Sequence, residues 1–127
     1  MREIAKEWVI KAEEDYDSAD TLLFGRESPI VATACFHCQQ SAEKYLKAFL
    51  EEHEMDFPRH HELISLLNLC LEVDKDFESL IKDLRRLEGF AVSVRYPGVH
   101  IKSKTAEEAF HAAERVRRFV RNKLGMK

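Results

Sequence analysis

The stretch from Ser28 to about Glu54 constrains the fold most. Ser28-Pro29 reads as an N-cap followed by proline at the first helical position, and nothing interrupts the helix until MDFPRH at 55–60. Some 26 residues of helix extend roughly 39 Å, the width of a small domain. Other helices with short links have to pack alongside it.

The remaining segments have the same period. Residues 3–24 carry Trp8, Ala12, Ala19, Leu22 and Leu23 at helical spacing, and Gly25 stops the run. A short helix is predicted from about His61, with Leu63, Leu66, Leu67 and Cys70 inward. A fourth spans about 75–94, where Phe77, Leu80, Ile81, Leu84, Leu87, Ala91 and Val94 repeat at three and four. Pro97 and Gly98 keep it from continuing. The last begins at Thr105, where Thr105 and Glu108 make a capping-box pattern. Ala109, Ala113, Val116 and Val120 mark its inner face and Gly125 its end. With four Gly, three Pro and no strand pattern or repeat, the prediction is all-α: an antiparallel up-and-down bundle of four to five helices forming one domain over 1–127.

Composition excludes several classes. A 127-residue chain that is 45% hydrophobic suits one core. No apolar run approaches the roughly 18 residues of a membrane span. The charged start, MREIAKEWVIKAEED, has no hydrophobic signal core. Three cysteines, an odd number, fit a reducing compartment better than a disulfide framework. A cytoplasmic location is expected.

The net charge of −3 conceals an asymmetry. Residues 1–80 carry 8 Lys+Arg and 18 Asp+Glu, a net of −10, and residues 81–127 carry 12 and 5, a net of +7. The basic part either attracts phosphates or is neutralised by the acidic part within a bundle or dimer; charge alone favours neutralisation.

Several side chains stand out. Asp15 shares a stripe with Trp8, Ala12, Ala19 and Leu22, so it needs a polar partner, through a structural salt bridge or in a site. Thr33, His37, Gln40, Lys44 and Lys47 share one helix face, bordering solvent, a cleft or a subunit contact. Cys35 and Cys38 form Cys-x-x-Cys, with His60-His61 the only clustered candidates for further zinc ligands. Small buried thiols are the favoured reading, and no metal is assigned. His53 and His111 are read as surface residues. Arg95 and His100 flank a Tyr-Pro-Gly corner. Metal-free RNA cleavage needs a proton-transfer group, for which His is suited, and a cation on the phosphorane, for which the Arg fork is suited. The alternative is a cation ending its helix and an ordinary loop histidine.

In order and spacing, EWVIKAEEDYDSADTLL, CFHCQQSAEKYLKAFL, HHELISLL and VRYPG resemble the HEPN domain family over nearly the whole chain. The resemblance implies a helical homodimer. It also implies a toxin-like endoribonuclease without metal or other cofactor, paired with a minimal nucleotidyltransferase antitoxin. Family active loops carry Arg, four to six residues, then His, and Arg95-Tyr-Pro-Gly-Val-His100 is similar, with four between. Arg95 would clamp the phosphate and His100 act as acid or base across the dimer. His37, Gln40, Lys44, Asp15 and Tyr96 would support RNA or nucleotide binding, and Arg85, Arg86, Arg115, Arg118 and Arg121 would track the backbone. Lys102 stands where some members have a Tyr that the partner modifies. The resemblance also admits a non-catalytic module that binds a nucleotide or the nucleotidyltransferase partner.

Overall fold

Helix α1 (Glu3–Phe24) turns Ala5, Val9, Ala12, Ala19 and Leu23 inward on one stripe. The computed structural model describes residues 1–59, 62–90, 94 and 96–127. Among them four more α-helices follow: α2 (Val31–Glu52), α3 (Leu63–Val73), α4 (Ile81–Glu88) and α5 (Ser103–Lys123). A 3₁₀ turn at Lys75–Leu80 precedes α4. No strand occurs among the described residues.

The order of side-chain pairs sets the helix directions. Trp8 meets Glu51, Glu13 meets Tyr45 and Asp15 meets His37, so α1 and α2 are antiparallel. Glu13–Arg117 and Tyr16–Glu114 make α5 antiparallel to α1. Asp83–Arg115 and Arg86–Glu108 do the same for α4 and α5. Helix α2 is the centre of the bundle. Twelve of its 22 residues are buried, too many for one packed face. It carries Tyr45, Leu46, Phe49 and Leu50 into the core, where Phe77 packs on Phe49 and on Phe119 of α5.

Helix ends depart from the sequence pattern in several places. Helix α2 starts at Val31 with Ile30 as N-cap. Ser28 is held in the preceding turn, where its carbonyl accepts from Arg26 Nε, so Ser28-Pro29 do not open the helix. At the other end His53 is the C-cap, and Met55 N–H donates to the Leu50 carbonyl over a left-handed Glu54 (φ 54°). Helix α3 starts at Leu63, and among the described residues of the predicted helix over 75–94 the chain forms the 3₁₀ turn and then the eight residues of α4; residues 91–93 of that prediction lie outside the described residues. Asp74 starts that turn by accepting from Asp76 N–H. Finally, α5 starts at Ser103, two residues before Thr105. Glu108 pairs with Arg86, so the capping box does not form. Gly125 ends α5 as expected: it is left-handed (φ 75°), and Met126 N–H reaches the Arg121 carbonyl.

Candidate functional site

Three of the flagged polar residues come together between α1 and α2. Asp15 points from the inner stripe of α1 at two α2 residues that lie about two helical turns apart. Its Oδ1 lies 2.7 Å from His37 Nδ1 and its Oδ2 2.5 Å from Lys44 Nζ. The carboxylate is almost enclosed, 11% exposed at the side chain, and the two partners compensate its desolvation. A carboxylate only accepts, so His37 donates through Nδ1 and keeps Nε2 free of Asp15. His37 lines an open groove of about 480 Å³ together with Asp17, Ser18, Thr21, Leu22 and Thr33.

The other members of the α2 stripe lie apart from this trio. Gln40 donates to the buried Gln39. Of the settings the spacing left open for this face, Lys47 does not take the solvent one. It is 8% exposed, with Nζ bonded to Glu43 and set over the rings of Trp8 and Phe57. The three cysteines are buried thiols. Burial pushes Cys35 up to about 11, and Cys38 and Cys70 higher still, so they remain protonated near neutrality. Among the described residues no group of three His, Cys, Asp or Glu is arranged for a metal. His60 and His61 lie outside those residues. His53 and His111 are exposed, His53 against the Phe49 ring and His111 near Glu114.

The loop ahead of α5 carries the other candidates. Arg95 lies outside the described residues. Tyr96 is 62% exposed, Gly98 takes φ 91° at the corner, and His100 is exposed. Among the described residues neither Tyr96 nor His100 has a hydrogen bond or ion pair. Two exposed lysines, Lys102 and Lys104, follow at the start of α5, which has no acidic residue in its first turn. The structure therefore presents two distinct polar sets. One is a fixed cluster in the α1–α2 groove; the other is an exposed loop.

A third network had no signature in the sequence. Glu13 receives Arg117 through two bonds of 2.7 Å, and Tyr45 and Arg121 as well. Arg117 also lies over the Tyr16 ring, which stacks on Phe110. Burial pushes Glu13 up, but the hydrogen bonds from Arg117 and Tyr45 and the charges of Arg117 and Arg121 outweigh it, so its pKa is lowered. Glu13 and Arg117 are 104 positions apart, so no local spacing could reveal the pair.

Most of the arginines expected to track RNA have carboxylate partners in the bundle. Arg121 is bound to Glu13, Arg115 to Asp83, Arg86 to Glu108, and Arg118 sits 3.9 Å from Glu114. Of the five arginines named from the sequence, only Arg85 has no ion pair among the described residues. Of these pairs only Arg121–Glu13 joins the basic part to the acidic part; Arg117 with Glu13, and Lys123 with Asp74 and Asp76, do so as well.

The HEPN domain model matches residues 5–123 of the chain. The chain belongs to the HEPN domain family. Two solved structures carry the same fold. TT1696 from Thermus thermophilus is 27% identical, with a TM-score of 0.74 over 94% of this chain and 97% of that one. ST0689, described as an archaeal HEPN homologue, is 24% identical, with a TM-score of 0.71 over 97% and 98%. No curated protein matches the chain. In this HEPN protein the matched span contains the Asp15–His37–Lys44 cluster and the Arg95–His100 loop. No helix among the described residues is long and apolar enough to cross a membrane.

Proposed function

We propose that this HEPN protein is a metal-independent endoribonuclease. It acts as a homodimer and as the toxin-like member of a pair with a minimal nucleotidyltransferase. The observation that carries the reading is His100: an exposed imidazole with no partner among the described residues, five positions after Arg95, in the same loop as the exposed aromatic ring of Tyr96. The imidazole is therefore accessible to a ligand.

In the reaction, a base removes the proton of an RNA 2′-hydroxyl. That oxygen attacks the adjacent phosphorus, and the 5′-oxygen leaves with a proton from an acid. The products are a 2′,3′-cyclic phosphate and a 5′-hydroxyl. His100 serves as acid or base, and the Arg95 guanidinium holds the phosphorane oxygens. Tyr96 offers a stacking surface to a base. Lys44 and Gln40 are bonded to Asp15 and Gln39, so the loop carries the chemistry and they support α2.

The test uses the purified protein and an unstructured RNA in excess chelator. Cleavage should leave cyclic phosphate ends. His100→Ala and Arg95→Ala should each reduce the rate at least about 10³-fold, within the range for loss of a principal catalytic group, without changing the melting temperature. An inert parent protein, or a His100→Ala variant that cuts equally well, removes the reading. The internal neutralisation of four arginines favours a second reading, a non-catalytic module that binds a nucleotide or the nucleotidyltransferase.

A further inference from the structure

The groove between α1 and α2 is mostly apolar surface edged by a few polar groups. Ser18, Thr21 and Thr33 contribute hydroxyls, and none is hydrogen-bonded among the described residues. Asp17 contributes a carboxylate that has no ion pair among those residues. His37 contributes the ring nitrogen that Asp15 leaves over: with Nδ1 donating to Asp15, the neutral ring has Nε2 as an acceptor. Leu22 supplies an apolar wall. The nearby cation is already used, because Lys44 Nζ lies on the second oxygen of Asp15. The surrounding surface of α1 is acidic, with Asp20 one turn on from Asp17 and Lys11 committed to Glu14.

Every polar group of the lining can accept, and the fixed charge there is negative. A phosphate or carboxylate would meet Asp17, and no cation lines the groove to balance it. A donor-rich cation meets a carboxylate, an imidazole nitrogen and three hydroxyl oxygens. We propose that this groove is a binding site for the ammonium end of a small aliphatic amine of the diamine or polyamine class. The ammonium shares its three N–H donors among Asp17, His37 Nε2 and the hydroxyls, and the methylene chain lies on Leu22. The site shares no residue with the Arg95–His100 loop and does not depend on the ribonuclease reading.

The experiment is an amide and imidazole NMR titration of the whole protein. The ligands are 1,4-diaminobutane, its uncharged analogue 1,4-butanediol, and inorganic phosphate. The expected result is saturable shifts at the groove residues, His37 included, with the diamine alone. Asp17→Asn should weaken that binding by about tenfold or more, the scale of a lost charge-assisted bond. Asp17 is exposed, so this variant should keep the parent's melting temperature. The proposal is overturned if the diamine gives no saturable shift in the groove, if butanediol or phosphate gives the same response, or if Asp17→Asn binds the diamine as tightly.

Discussion

Glu13 shows how much one carboxylate can organise. It joins α1 to α5 through Arg117 and Arg121 and to α2 through Tyr45. Its pKa is below the ordinary 4.5, so the folded state prefers it ionised. The stability this contributes is present above the unfolded value and is lost as pH falls through the lower, folded value. Urea unfolding at a series of pH values should therefore show the parent losing stability below about pH 4.5. Glu13→Gln should cost about 2 kcal/mol at pH 7, the scale of a broken, partly buried pair, and flatten that acid limb. Equal slopes for the two proteins would contradict the assignment. Asp15 was legible in the sequence as a carboxylate on an apolar stripe in need of a partner. Glu13 was not, because its position looks like any solvated helix residue until α5 folds back over it.

Helix ends are decided at the next scale up. Helix α3 has no side-chain cap of its own at Glu62. The cap comes from α4, where both oxygens of Glu88 accept from the backbone N–H groups of Leu63 and Ile64 at 2.8 and 3.0 Å. Two first-turn donors are satisfied by a residue 25 positions from Leu63, in the favourable sense for the helix dipole. Glu88→Ala should destabilise by about 1.5 kcal/mol, or about 5 °C in melting temperature, and Glu62→Ser should restore part of the loss by capping α3 locally. Calorimetric melting of the single and double variants checks this; an additive double variant would sink it. The same logic explains Thr105. A capping-box pattern is only a local option: α5 starts two residues before Thr105, and Glu108 pairs with Arg86. Gly125 ended α5 as its sequence suggested, since a left-handed residue is a local requirement that glycine meets without strain.

Over the whole molecule, charge pairing narrows where RNA could be held. Arg115 and Arg121 bond to carboxylates of other helices. Lys102 and Lys104, shortly after His100, have no ion pair among the described residues. On the ribonuclease reading, Lys102→Ala and Lys104→Ala should each reduce the slope of log binding constant against log salt by about 1. Arg115→Ala should leave that slope unchanged. Fluorescence anisotropy with a labelled RNA across a salt series makes the comparison. An Arg115→Ala effect as large as that of the lysines would show that α5 tracks the backbone after all.

The sequence by itself determined the all-α class, the long helices, their inner faces and the burial of the cysteines. These follow from the periodic placement of apolar residues, which acts over one or two turns. It also drew attention to Asp15, His37 and Lys44, since a carboxylate on an apolar stripe and a polar stripe on a long helix are local anomalies. Only the tertiary structure decided their pairing, the burial of Lys47, the capping of α3 by Glu88 and the pairing of Arg117, Arg121 and Lys123 of α5 with carboxylates of the acidic part. Each of these depends on which helix faces which. Apolar periodicity specifies that a face is buried, whereas a hydrogen bond or ion pair needs a particular atom of a distant residue within about 3 Å.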